Sequence, residues 1–229
     1  MKTKCSSRMK ALLLVLAMVL SLFCVSIGTA HPRFTDVPDS FWASKEIAWA
    51  VDKGVVNGTS ATTFSPNDKT LRGQMTAILY RYAGEPAVSG ASSFSDVKAS
   101  IYYANAASWA QKNNILISTV SGSNKFLGDT PISRAEFCAM VYNYAGYKSI
   151  DRKTASAAPF SDVKGLSSEL RAAINWAYAN GIVNGVDKTH FSPDSTLTRA
   201  QAVVMLYRYE NKFASGGTET NPSTETPAK

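Results

Sequence analysis

Thr196-Leu197-Thr198-Arg199-Ala200-Gln201 leads into a helix-forming run that ends in Tyr207 and Tyr209, and the same arrangement stands at two earlier places. Pro131-Ile132-Ser133-Arg134-Ala135-Glu136 leads to Tyr142 and Tyr144, and Thr70-Leu71-Arg72-Gly73-Gln74 leads to Tyr80 and Tyr82. Each arginine lies eight residues after a phenylalanine: Phe64, Phe126 or Phe191. Ser133 with Glu136, and Thr198 with Gln201, have the spacing of a capping box, so a helix starts at each with the arginine in its first turn. A helix N-terminus carries a partial positive charge, which makes this an unfavourable place for a cation. Three arginines so placed point to an anionic partner, with free first-turn amides and a guanidinium facing one negative group. On that reading alanine at Arg134 or Arg199 weakens binding and barely changes folding, and Arg72→Ala costs less. The alternative is a set of salt bridges between repeats, in which case alanine lowers the melting temperature.

Self-comparison extends the repeat outward in both directions. Phe34-Thr35-Asp36-Val37, Phe94-Ser95-Asp96-Val97 and Phe160-Ser161-Asp162-Val163 open units 34–84, 94–146 and 160–211. In each, a first helix carrying Trp49, Trp109 or Trp176 ends at Gly54, Asn114 or Gly181, residues that tolerate a left-handed conformation. Asp39 or Ser40 is the expected cap of the first of these helices. A short apolar step and a polar loop follow, with Asn57-Gly58 to Phe64-Ser65-Pro66 matched by Asn184-Gly185 to Phe191-Ser192-Pro193. The second unit has two extra residues in this loop. The apolar positions of the second helix make one narrow face, such as Met75, Ile78 and Leu79, which two short helices cannot bury alone. The expected fold is therefore all-α, with helix–loop–helix repeats packed on each other.

The ends read differently. Lys2, Lys4, Arg8 and Lys10 precede an apolar run from Ala11 to about Ile27, and Gly28-Thr29-Ala30 supplies small residues for cleavage. Residues 1–30 are read as a secretory signal peptide, with an uncleaved membrane anchor as the alternative. Removing those four leaves 20 basic against 17 acidic residues, a net charge of +3 with no basic cluster to suggest nucleic acid. Cys138 is then the one remaining cysteine, set in an apolar helical run, so no disulfide framework is expected. Residues 214–229 are rich in Gly, Ser, Thr, Pro and Glu and read as a flexible tail.

The F-x-D-V opening, Trp42-Ala43, the Val56-Asn57-Gly58 step, the Phe64-Ser65-Pro66 loop and the arginine motif resemble the surface-layer homology (SLH) domain family, in three tandem copies. The resemblance implies a pseudo-threefold bundle of helix–loop–helix SLH repeats with grooves between them. It implies non-covalent binding of a secondary cell-wall polysaccharide, commonly pyruvylated, by a secreted protein of the cell wall or S-layer. Carried over by position, the implied polysaccharide-binding residues are Arg72, Arg134, Arg199, Asp36, Asp96, Asp162 and Trp42, with Tyr102 in the tryptophan's place in the second repeat. Ser168 or Glu169 stands there in the third, and Leu71-Arg72-Gly73-Gln74 lacks both the capping threonine and the alanine, so the three grooves are not expected to be equivalent. The aspartates have a second reading, as caps of the turn after each phenylalanine.

No Ser–His–Asp or Cys–His arrangement or phosphate loop is visible, and His31 and His190 lack metal partners at useful spacing. No catalytic residues, cofactor or metal are expected. A structural self-assembling surface-layer component and an accessory of a wall-glycan enzyme remain the alternative functions. A further surface protein as cargo is a possible partner; no nucleic acid is expected, and no membrane once the signal is cut. N-terminal sequencing of exported protein is expected to begin at His31; an intact Met1 would refute cleavage after Ala30.

Overall fold

The computed structural model describes residues 34–154 and 156–214, leaving the side chain of Ser121 aside. The signal segment and the tail beyond Ala214 lie outside the described residues. Among those described there are seven α-helices and no strand. They are α1 Ser44–Asp52, α2 Arg72–Tyr82, α3 Ala104–Lys112, α4 Ser118–Ser121, α5 Arg134–Tyr147, α6 Ser168–Ala179 and α7 Arg199–Phe213. The repeats are thus α1–α2, α3–α5 and α6–α7, with α4 formed by the longer loop of the second.

The first helices stop where glycine or asparagine adopts a left-handed backbone: Gly54 at φ 68°, Asn114 at φ 54° and Gly181 at φ 70°. Their starts differ from one another. Neither Asp39 nor Ser40 caps α1; its N-cap is Ala43 and has no side-chain hydrogen bond. Two successive turns, Phe41 N–H to the Pro38 carbonyl and Ser44 N–H to the Phe41 carbonyl, bring the chain into the helix instead. Trp42 consequently sits in the turn ahead of α1. The second helices start as the capping boxes require, with Ser133 accepting from Glu136 N–H and Thr198 from Gln201 N–H. In α2 only the return half survives, the Gln74 side chain accepting from Leu71 N–H, because leucine has no acceptor.

The packing is cyclic. The second helix of each repeat lies closest to the first helix of the following one: α2 on α3, α5 on α6, and α7 back on α1. Ahead of the second helices the three chains meet in a ring of isolated antiparallel bridges, Lys69 with Thr198, Leu71 with Pro131 and Ser133 with Thr196. Thr70 N–H donates to the Leu197 carbonyl, Leu197 N–H to Ile132 and Ile132 N–H to Thr70, at 2.8, 3.2 and 2.9 Å, closing a triangle on the pseudo-threefold axis. At the far ends of the same helices Tyr82, Tyr144 and Tyr209 meet in a second triangle, with ring centroids 5.7–6.0 Å apart. The Tyr82 hydroxyl donates to Glu210, 2.5 Å away, and Glu210 pairs with Lys53 of the first repeat. Phe64, Phe126 and Phe191 are fully buried, each paired with its opening phenylalanine.

The departure at Gly73 has a structural cause. A Cβ there would lie 2.5 Å from the ring of Tyr103, and one at Gly128 would lie 2.4 Å from it. Tyr103, buried against Phe126, stands where the other repeats carry Ala43 and Leu170. The larger ring in the second repeat thus requires the missing methyl group in the first.

Two outcomes are expected. Peptide 34–84, deprived of α3 and α7, should show no cooperative melt, whereas the three repeats melt as one unit; a cooperative monomeric transition of that peptide would disprove the cyclic dependence. Gly73→Ala, which on helix propensity alone gains up to about 1 kcal/mol, should lower the melting temperature, and G73A/Y103L should recover most of the loss. Calorimetry of the two variants checks this.

Candidate functional site

The three arginines are among the few buried charged residues, at 8 %, 8 % and 9 % exposure for Arg72, Arg134 and Arg199. Each reaches into the loop of the next repeat. Arg134 donates from Nε to the Phe191 carbonyl (2.9 Å) and from Nη2 to the Asn184 carbonyl (2.7 Å). Arg199 does the same to Phe64 (3.0 Å) and Asn57 (2.9 Å). Each guanidinium also covers the ring of that phenylalanine, at 4.4 and 4.5 Å. Burial pulls both below the usual arginine range, yet arginine stays charged in proteins, so these carbonyls are needed to hold the cation. Nη1 of Arg134 and of Arg199 donates to nothing among the described residues.

The first-turn amides are not free. Arg72, Arg134 and Arg199 N–H donate to the carbonyls of Thr130, Ser195 and Asp68, and the following amides donate to Gly128, Pro193 and Pro66. The helix N-terminus is therefore spent on the neighbouring repeat, and the cation is tolerated there because carbonyl oxygens surround it. Alanine at these positions consequently costs folding as well as any ligand contact, which corrects the expectation drawn from the helix dipole alone.

Arg72 is oriented differently. Nε and Nη2 donate to Glu136 Oε1 at 3.0 and 2.8 Å, and Nη1 donates to the carbonyls of Phe126 and Leu127. In the second repeat Ile117 replaces the asparagine whose carbonyl the other two arginines use, and Glu136 stands where Gln74 and Gln201 stand.

The aspartates clamp the loops. Asp36 accepts from the N–H groups of Phe64 and Ser65, Asp96 from Phe126 and Leu127, and Asp162 from Phe191 and Ser192. Ser65, Leu127 and Ser192 have φ of 57°, 53° and 57°, a left-handed conformation that costs a non-glycine residue about 1–2 kcal/mol. The carboxylate holds that turn and presents the preceding carbonyl to the incoming arginine. Burial raises the three carboxyl pKa values, but the backbone donors outweigh it and leave them below the usual range.

A cavity of about 240 Å³ opens beside Arg199, lined by Asn57, Gly58, Gln74, Arg81 and Tyr102 among others. It is composed of all three repeats, with the guanidinium from the third, loop and helix from the first, and Tyr102 from the second. Tyr102 is 61 % exposed, and its counterpart Trp42 53 %, so both offer ring faces to solvent. Trp109 and Trp176 are buried, and Trp49 packs edge-on against Tyr207. A larger cavity of about 530 Å³ beside Tyr103 contains none of the three arginines. Among the described residues no group of His, Cys, Asp or Glu is placed to hold a metal ion.

The S-layer homology domain profile matches residues 33–76, 93–138 and 159–203. The chain belongs to the S-layer homology domain family. SLH relatives include an amylopullulanase of Thermoanaerobacterium thermosulfurigenes, 31 % identical over 76 % of this chain and 9 % of its own length. An endoglucanase of Bacillus sp. (strain KSM-635) is 27 % identical over 94 % of this chain and 23 % of its own. An S-layer protein of Bacillus licheniformis is 24 % identical over 82 % and 21 %. The chain thus spans less than a quarter of the length of these three proteins.

Sequence reading missed Arg81 in the groove lining, and named Gly58 only as part of the Val56-Asn57-Gly58 step. Arg81 lies nine residues after Arg72, as Arg208 does after Arg199, and the second repeat has Asn143 there, so a spacing signal existed. The structure shows why glycine is needed there: a Cβ at Gly58 would meet three neighbours at 2.5–2.6 Å. The aspartate clamp predicts a pH dependence. A depressed folded pKa contributes stability that is present above the unfolded value of about 3.9 and is lost as pH falls through the folded one. Asp36→Asn and Asp162→Asn should lower the melting temperature at pH 6 and flatten its decline between about pH 4 and pH 2, read by thermal melts across that range.

Proposed function

We propose that this SLH module anchors its protein to the bacterial cell wall by binding an anionic secondary polysaccharide, with a carboxylate such as a pyruvate ketal as the recognised group. The observation that carries the reading is the Arg199 groove. A buried guanidinium keeps Nη1 undonated beside a cavity of one-sugar scale, a second cation, Arg81, lines it, and an exposed aromatic, Tyr102, flanks it. A fixed guanidinium suits a carboxylate because its position is set before the ligand arrives, so little entropy is lost on contact. Exposed rings beside it suit the apolar face of a sugar.

Arg134 with Arg208 and Trp42 supplies the same residue types at the equivalent positions of the third and first repeats. The aspartates support these grooves indirectly, by holding the loop whose carbonyls orient the arginine. Cell-surface location and a non-catalytic role for these residues fit the SLH assignment and the S-layer relatives.

Sedimentation with purified cell walls, before and after extraction of their polysaccharide, tests the reading; binding that survives extraction sinks it. Arg199→Ala and Arg134→Ala should each weaken wall binding by about 2–4 kcal/mol per groove, counted per folded molecule. They should also cost about 1.5–3 kcal/mol of stability through the lost charged hydrogen bonds. Lysine should recover part of the first loss and little of the second, since it keeps the charge without the fork. Arginine variants that melt early but bind normally while folded would mean that these residues only hold the repeats together.

A further inference from the structure

Resting on the anion-binding reading, we infer that this chain takes a carboxylate in two of its three grooves, at Arg199 and Arg134, and fills the third with its own Glu136 and Glu169. The third groove is the one that Arg72 enters. Counting from Trp49, Trp109 and Trp176 in the first helices, Glu169 holds the position of Trp42 and Tyr102. Its carboxylate reaches back to the second repeat and accepts from the backbone N–H of Ser118 (3.1 and 3.3 Å for its two oxygens) and from the Ser118 hydroxyl.

Ser118 is the counterpart of Gly58 and Gly185, since Val55, Ile115 and Ile182 make equivalent backbone hydrogen bonds at the end of each first helix. The N–H groups of Gly58 and Gly185 have no acceptor among the described residues. A carboxylate of the protein itself thus occupies in one groove the amide that the other two leave open.

The second acid completes the closure. All three nitrogens of Arg72 already donate, two of them to Glu136, whereas neutral glutamine holds the position of Glu136 in the other two repeats. Where those have Arg81 and Arg208, this one has Asn143, which donates to the carbonyls of Ile115 and Leu116. An incoming anion would meet two carboxylates, an Arg72 with four of its five N–H groups already donating, and no second arginine. Electrostatics and occupancy exclude it together.

The test uses the full exported chain and, as probe, the methyl glycoside of a hexose bearing a pyruvate ketal. Calorimetric titration should give a stoichiometry of two. Backbone amide shifts should move at Gly58 and Gly185 and stay fixed at Ser118. Moving both acids into the Arg199 groove, as Gln74→Glu with Tyr102→Glu, should reduce the stoichiometry to one and abolish the Gly58 response while Gly185 still responds. Three sites, a probe-induced shift at Ser118, no binding, or two sites retained in the folded double variant would each overturn the inference. If the double variant does not fold, the site-resolved shifts of the parent chain decide alone. Two-site binding of the probe without any binding to walls would leave the inference standing and sink the polysaccharide reading.

Discussion

The structure depends on a cation placed against a helix N-terminus and held there by carbonyl oxygens of another repeat. Arg134 and Arg199 are buried, and a buried guanidinium without acceptors is far more costly than an exposed one. Their acceptors exist only when the phenylalanine loop of the next repeat is in place. That loop in turn needs its aspartate to hold a left-handed residue. Each repeat supplies both a plug and a socket, and the sequence of plug to socket runs from first to second, second to third and third to first. The closed cycle explains why each second helix packs on the following repeat rather than mainly on its own.

The same cycle makes the grooves composite. The guanidinium comes from one repeat, the loop and helix from the next, and the aromatic rim from the one after. A change within a single repeat therefore alters two or three grooves, each in a different way. Glu169 in the third repeat acts on a groove whose arginine is in the first and whose loop is in the second. The two extra residues of the second loop let Ser118 replace the glycine that steric crowding demands at Gly58 and Gly185. The unlike character of the three grooves thus needs no loss of the repeat architecture.

Compensation across repeats also accounts for the weakest of the three arginine motifs. Leu71-Arg72-Gly73-Gln74 loses a cap and a methyl group, yet α2 begins at the same residue as its counterparts. The return bond from Gln74 survives, and the backbone of α2 is fixed by Thr130 and Gly128 of the second repeat. Gly73 fits the ring of Tyr103, so what reads as a defect in one repeat is half of a matched pair with another.

Sequence alone determined the repeats, the all-α class, the second-helix starts at the arginines and the stops at Gly54, Asn114 and Gly181. These are local matters: period, capping spacing and the few residue types that accept a left-handed backbone. It also picked out the arginines and aspartates, which recur at fixed spacing, and through the family resemblance Trp42 and Tyr102. Only the tertiary structure decided what those residues touch. The first-turn amides read as free are taken by Thr130, Ser195 and Asp68. The aspartates face backbone of their own repeat, and Arg72 faces Glu136 across 64 residues of chain. Periodicity reports which face of a helix is apolar, but not which repeat lies against it. The pairing of Glu169 with Ser118 follows from the closure of three units into a ring, and that closure is set by packing between segments far apart in the chain.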